Sequence, residues 1–147
     1  YFGDPAATAE ALTEDGFVRT GDLAQMEPDG GFEYLTRMGD VLRLGGFLVS
    51  PAEIEGEIQA HPAVAGVQVV SAPFEGSDRP IAFVLAEPGA SIDEAAVQAH
   101  CAARLARYKV PAKVVALDVF PVTESANGVK IQRARLRQMA IDLVTTS

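Results

Sequence analysis

The sequence predicts an α+β fold: a small sheet of about three strands covered by helices, with a β-hairpin ahead of it. Three observations carry this. From residue 50 onward the pattern reads helix, strand, strand, helix, strand, loop, helix, and two-layer packing buries one face of each. Between Phe17 and Thr36, two apolar runs flank Glu27-Pro28-Asp29-Gly30-Gly31, a strong turn sequence. The hydrophobic fraction is 48%, enough for a true core in a chain of ordinary domain length.

The elements follow in order. PAATAEAL at 5–12 is made of good helix formers, with Pro5 suited to a first turn. Asp15-Gly16 interrupts it. Phe17 to Met26 reads as a strand and Phe32 to Thr36 as its return. Arg37-Met38-Gly39-Asp40 is a polar break between apolar runs and marks a boundary. Val41 to Leu44 and Phe47 to Val49 surround Gly45-Gly46, a pair suited to a tight turn or a close backbone approach.

Ser50-Pro51-Ala52-Glu53 starts a helix: Ser50 caps, Pro51 takes the first position and Glu53 completes a capping box. That helix runs to about Ala60, before Pro62. Val64 to Ala72 and Pro80 to Glu87 are strands. Ser91-x-x-Glu94 repeats the capping-box spacing and opens a helix to about Arg107. Val110 to Leu117 is the third strand, and a final helix covers about Arg133 to Val144. The expected core is Val64, Val67, Val69, Ile81, Phe83, Leu85, Val97, Leu105, Val114, Leu117 and Leu136.

Composition limits the function classes. The net charge of −8 argues against general nucleic-acid binding. The sign is uneven, about −13 over the first 100 residues and +5 from Cys101 onward. No apolar run approaches a transmembrane segment. The single cysteine, Cys101, excludes an internal disulfide and reads as a buried small hydrophobe on a helix. His61 and His100 are isolated, so no metal site is expected. Lys130 follows Ser125-Ala126-Asn127-Gly128, a bend. Its ammonium is a compact point charge able to meet a phosphate or carboxylate oxygen. From these residues alone it reads more readily as a surface lysine in a hairpin.

Three stretches in this order carry a resemblance. They are Phe17-Val18-Arg19-Thr20-Gly21-Asp22-Leu23, preceded by YFGDPAATAEALTEDG; Thr36-Arg37-Met38-Gly39-Asp40-Val41-Leu42-Arg43-Leu44-Gly45-Gly46-Phe47, running into Val49-Ser50-Pro51-Ala52-Glu53; and Phe120-Pro121-Val122-Thr123 with Gly128-Val129-Lys130 and Arg133. HPAVAGVQVV and ARYKVPAKVV lie between them. Together they resemble the C-terminal part of the adenylate-forming (AMP-forming) enzymes, the superfamily of acyl-CoA synthetases, luciferases and peptide-synthetase adenylation domains. The resemblance covers nearly the whole chain. It implies that residues 1–38 are the tail of an N-terminal adenylation domain, helix plus hairpin, and that 39–147 form its mobile C-terminal lid.

The implied reaction is an ATP-dependent ligation through an acyl-adenylate, with ATP, Mg2+ and coenzyme A in the full-length enzyme and a small carboxylic acid as partner. Fatty-acyl-CoA ligases are slightly favoured, and a cytoplasmic location is expected. Within the resemblance, Lys130 matches the lysine that accompanies adenylation. Asp22 matches the aspartate that binds ribose hydroxyls, and Arg37 an arginine reaching ribose or phosphate, with a salt bridge beside the hinge as its competing role. Gly45, Gly46 and Phe47 match the loop that enters for thioester formation. Gly39 and Asp40 take the hinge position. The chain departs from the usual pattern at Thr36, Gly39, Arg43 and Leu48, and its lysine loop is longer than usual.

The Ser/Thr/Gly-rich phosphate loop of the family is not in this sequence, and it starts at Tyr1 rather than Met. The expectation is a fragment that is inactive alone, needs an N-terminal domain in cis for catalysis and ligand binding, and carries its magnesium through ATP and that domain. Self-association through residues 1–36 is expected, because Phe17, Val18 and Leu23 would lose their packing partner. Two other readings stay open. One is an adenylation domain loading a carrier-protein thiol. The other is a stand-alone anion-binding module using Arg133, Arg135 and Arg137.

Overall fold

The computed structural model describes residues 5–125 and 128–146. They form two compact units, Tyr1–Gly39 and Asp40–Ser147. In the first unit, helix α1 (Pro5–Ala11) precedes the antiparallel pair β1 (Asp22–Met26) and β2 (Phe32–Arg37). Strand β1 is shorter than the apolar run from Phe17 suggests. Gly21 has φ of +75°, a conformation that breaks the extended chain just before Asp22. At the far end Asp29 Oδ1 accepts from the Gly31 N–H and closes the turn. Phe17, Val18, Met26, Phe32 and Tyr34 are exposed, whereas Leu23 is half-buried.

The second unit is the expected sheet with helices on it. After a 3₁₀ turn at Met38–Asp40 come the hairpin β3 (Leu42–Leu44) and β4 (Phe47–Val49), then α2 (Pro51–Gln59). Strands β5 (Val64–Phe74) and β6 (Ser77–Ala86) pair antiparallel. Helix α3 (Glu94–Ala102) and a 3₁₀ turn at Arg107–Lys109 cross over to β7 (Lys113–Ala116), which pairs parallel to β6. A hairpin of β8 (Val122–Ser125) and β9 (Gly128–Ile131) follows, and α4 (Arg133–Thr146) ends the chain. Ala126 and Asn127, expected in the bend before Lys130, lie outside the described residues, as does the YFGD at 1–4.

The three-stranded sheet, ordered β5-β6-β7, is covered on both faces. The period-two alternation of strands decides which side chain goes where. Val67, Val69, Ala82 and Val84 pack with Ile54, Ile58, Val97 and Cys101 of α2 and α3, and with Leu42, Leu44 and Val49 of the β3–β4 hairpin. Val70, Ala72, Ile81 and Phe83 pack with Leu136 and Ala140 of α4. Covering both faces is why β5 and β6 read as near-continuous apolar runs. Of the expected core, Leu85, Leu105 and Leu117 are only half-buried, since they sit at strand ends and in the crossover. Leu42, Leu44, Ile54 and Ile58 are buried instead, with Leu44 and the two isoleucines fully so.

Two glutamates close the sheet's open edges. Strand β5 is one edge, where Glu55 Oε1 accepts from the Val69 N–H at 2.8 Å and from Arg133 Nη2 at 2.7 Å. Arg133 Nη1 in turn donates to Val69 O at 3.2 Å. Strand β7 is the other edge, where Glu94 Oε1 accepts from the Val114 N–H at 3.0 Å. Unpaired edge groups are thereby satisfied by side chains of the covering helices.

This corrects both capping-box expectations. Asp93, not Ser91, caps α3: its Oδ1 accepts from Ala95 and Ala96 N–H, and Glu94 points to the sheet. Ser50 occupies the N-cap position of α2 but makes no side-chain cap bond, and Glu53 pairs with Lys109. Helix α3 also stops five residues early. A 3₁₀ turn at Arg107–Lys109 follows, and Val110, at φ −68° and ψ 126°, is extended as the residue before Pro111 requires.

Candidate functional site

Asp22 and Arg37 are cross-strand partners at the open end of the β1–β2 hairpin. Arg37 Nε lies 3.1 Å from Asp22 Oδ1, and Arg37 Nη1 donates to Thr20 O at 2.9 Å. The Met38 N–H donates to Gly21 O at 2.7 Å, which fixes the loop before Asp22 against the end of β2. The Asp22 side chain is 30% exposed and that of Arg37 63% exposed, so both remain reachable from solvent. The structure therefore brings these two residues together as an ion pair. Gly39 and Asp40 lie in the 3₁₀ turn where one unit gives way to the next.

Within the second unit, Gly45 and Gly46 form the two-residue loop between Leu44 and Phe47. Their φ values, +56° and +88°, are those of a type I′ turn, which matches the twist of a hairpin and favours glycine at both positions. A Cβ on Gly46 would meet nothing within 4 Å, so conformation rather than crowding selects glycine there. Phe47 is exposed at the tip and stacks on Tyr108, ring centroids 5.1 Å apart. Lys109, next to Tyr108, pairs with Glu53 of α2 and lies 5.7 Å from the Tyr108 ring centre. The Lys109 ammonium pKa is raised, chiefly by its hydrogen bond to Glu53. Tyr108 and Lys109 thus brace the glycine loop from the crossover. The sequence signalled them only as part of ARYKVPAKVV, with no role attached.

Lys130 stands on β9 opposite Thr123, exposed, with no ion-pair partner among the described residues. Its hairpin is held at the base by Gln132. That amide donates to Val122 O at 3.0 Å and to the Thr123 hydroxyl, while the Gln132 N–H donates to Pro121 O at 2.8 Å. Arg133, one residue later, is anchored on Glu55 and Val69. Arg137 Nη2 donates to Ser71 Oγ at 3.3 Å. Of the three arginines considered as an anion grip, Arg133 and Arg137 therefore each donate to a group of β5, while Arg135 and Arg137 are exposed. Glu55 escaped the sequence reading because its partners lie across the fold, and Gln132 because it bonds back to the strand before its hairpin turn.

Cys101 is fully buried on α3. Burial, with the Glu57 carboxylate second, pushes its thiol up to about 11. A thiol so held is protonated at neutral pH and unsuited to nucleophilic work. Among the described residues, no three His, Cys, Asp or Glu side chains gather where a metal ion could sit. No helix among them is long and apolar enough to cross a membrane.

Residues 53–127 match the family model of the AMP-binding enzyme C-terminal domain. The 2-succinylbenzoate–CoA ligase of Geobacillus kaustophilus is 43% identical over 123 residues, covering 82% of this chain and 25% of that protein. The 4-coumarate–CoA ligase-like protein 5 of Oryza sativa subsp. japonica is 32% identical over 144 residues, covering 97% of this chain and 26% of that protein. The crystal structure of ATP-bound MatB from Rhodopseudomonas palustris superposes with a TM-score of 0.85 at 35% identity, over 98% of this chain and 28% of that one. The chain spans about a quarter of the length of the curated relatives it matches.

Proposed function

Because this chain belongs to the AMP-binding enzyme C-terminal domain family of the adenylate-forming enzymes, we propose that it serves as the C-terminal lid, with the last hairpin of the preceding domain, of an AMP-forming acid–thiol ligase. The observation that carries this is the β8–β9 hairpin. It presents an exposed ammonium, Lys130, on a short strand pair gripped at its base by Gln132, with Arg133 tying the start of the next helix to the sheet.

In the first half-reaction a carboxylate oxygen attacks the α-phosphorus of ATP. The P–O bond to pyrophosphate breaks, and an acyl-adenylate forms. Negative charge builds on the α-phosphate oxygens, and a positioned ammonium in a water-poor site stabilises it. Lys130 supplies that charge. Asp22, acceptor-only when ionised, takes the ribose hydroxyls, while the Arg37 fork reaches ribose or phosphate. Their mutual ion pair holds both side chains ready at the hairpin end. Magnesium would be held by the ATP phosphates and would offset their charge, and no residue of this chain is assigned to it.

In the second half-reaction a thiol attacks the acyl carbonyl carbon, AMP leaves and a thioester forms. The Gly45-Gly46 turn leaves room for a slender thiol arm beside Phe47. Gly39 and Asp40 form the pivot that exchanges the two faces of the lid. Coenzyme A is the thiol; the CoA ligases among the relatives support it over a carrier protein. The acid is an organic carboxylate, with fatty acids first among those to try. The residues described form only part of the site, and the rest of the enzyme supplies the acid pocket and the triphosphate grip.

The test is ATP–pyrophosphate exchange by the whole protein against a panel of carboxylic acids, with the nucleotide product identified. Acid-dependent exchange with AMP as product is expected. Production of ADP, or no exchange with any acid that the protein binds, would overturn the reading.

A further inference from the structure

Strands β3 and β4 are three residues each, and pairing alone does not hold the tip of so short a hairpin. Leu42, Leu44 and Val49 anchor its base in the core, whereas Phe47 and Leu48 are more than half exposed. Tyr108 meets the tip. Its ring stacks on that of Phe47, centroids 5.1 Å and planes 24° apart. A Cβ on Gly45 would lie 3.9 Å from Tyr108 Cβ, an ordinary contact distance, while one on Gly46 would meet no described atom within 4 Å. Tyr108 therefore backs the Gly45 face of the turn and leaves the Gly46 face open.

Tyr108 is itself fixed. It is half-buried and packs against the core cluster that includes Leu44. It stands mid-turn in the 3₁₀ segment, where the Lys109 N–H donates to Ala106 O at 2.8 Å. Lys109 pairs with Glu53 in the first turn of α2, its ammonium 5.7 Å from the Tyr108 ring centre. Helix α2 begins two residues after β4. The crossover thus grips the hairpin at its tip through Tyr108 and just beyond its end through Lys109.

Resting on the ligase reading, we infer that Tyr108 is a positioning residue for thiol transfer: its ring holds Phe47 and the Gly45-Gly46 turn in the arrangement that keeps the Gly46 face clear for the thiol arm. Without the ring, Phe47 loses its stacking partner and the tip is shared among several arrangements. Thiol attack then slows in proportion to the fraction still competent. An aromatic stack shifts such an equilibrium by about two- to tenfold. Adenylation uses Lys130 on a different hairpin, so it does not depend on this contact.

The whole enzyme is assayed in two halves, with the acid that gives the strongest pyrophosphate exchange. One half is the exchange itself; the other is thioester formation from preformed acyl-adenylate at varied coenzyme A. Tyr108→Ala should lower the saturating rate of thioester formation at least about fivefold and leave exchange within about twofold. Tyr108→Phe, which keeps the flat ring, should restore thioester formation to within about twofold. Tyr108→Leu fills the core side without a flat ring and should behave as alanine does, so the stack is tested even if Tyr108→Ala misfolds. Hydrogen exchange over residues 42–49, followed by mass spectrometry without substrates, should quicken in Tyr108→Leu and not in Tyr108→Phe. Equal loss of both half-reactions would overturn the positioning role, as would leucine working as well as tyrosine. A rise in KM for coenzyme A at an unchanged saturating rate would also overturn it, since Tyr108 would then bind the thiol substrate directly. No exchange with any acid in the unaltered enzyme would remove the ligase reading and this role together, whereas exchange with unimpaired thioester formation in Tyr108→Leu would remove this role alone.

Discussion

Replacing Glu55 by alanine should be among the more damaging single changes on the polar surface of the second unit. Its Oε1 accepts from the Val69 N–H at 2.8 Å and from Arg133 Nη2 at 2.7 Å. Val69 is fully buried, so losing Glu55 strands a backbone donor, at about 1–3 kcal/mol. The ion pair is mostly covered, with side-chain exposures of 16% for Glu55 and 27% for Arg133. Its loss adds about 1 kcal/mol, above an exposed pair but below a fully buried one. The total is roughly 3 kcal/mol. Glu55→Gln keeps an acceptor for Val69 while losing the charge, and should cost about 1 kcal/mol. Urea unfolding followed by far-UV circular dichroism reads both. Arg133→Met completes a double-mutant cycle with Glu55→Ala, where a coupling of about 1 kcal/mol is expected. A loss below about 0.5 kcal/mol for Glu55→Ala, or equal losses for alanine and glutamine, would refute the edge-capping argument.

Leu44→Ala removes a fully buried side chain from the cluster joining the β3–β4 hairpin to the sheet and should cost about 2–5 kcal/mol in the same assay; a loss below about 1 kcal/mol would mean the hairpin is not part of the core. The Cys101 thiol should resist iodoacetamide in the folded protein and react on unfolding, because it is buried and protonated. Its folded value is raised to about 11 from 9.0, so its contribution to stability should be complete below pH 9 and be lost as the unfolded thiol ionises, by about 2–3 kcal/mol at pH 11. Lys109, also raised, acts in the same direction: its contribution is complete below its ordinary value of 10.5 and is lost as pH rises through the folded one. Cys101→Ala should remove most of the slope between pH 9 and 11, and an unchanged slope would contradict this assignment.

The parts of the fold that were legible are those encoded locally. The β5 and β6 runs, the Pro51 helix start and the Asp29-Gly30 turn each depend on neighbours in sequence, and each is where the residues put it. The Gly45-Gly46 pair was legible as a tight turn for the same reason. What escaped depends on partners far along the chain. Glu94 has capping-box spacing from Ser91, yet Asp93 caps the helix while Glu94 serves Val114, twenty residues on. Glu53 likewise meets Lys109 across the fold. Leu42 and Leu44 looked like a short run beside a turn, and only their packing onto β5 and β6 makes them core. Lys130 was legible as an ammonium beside a bend, but not the Gln132 grip that positions its hairpin, because Gln132 bonds back to Val122 and Thr123.

The proposal that this domain serves two half-reactions with two faces is tested most directly by crossing two substitutions in the whole enzyme, Lys130→Ala and Gly46→Leu. The first should cut acyl-adenylate formation by at least about a hundredfold, as loss of a transition-state charge does, while thioester formation from supplied acyl-adenylate largely survives. The second places a side chain at a positive-φ position of the turn and should do the reverse, sparing adenylation and slowing thiol transfer. Loss of both half-reactions to the same extent in both variants would contradict the two-faced account and reduce the two sites to structural roles.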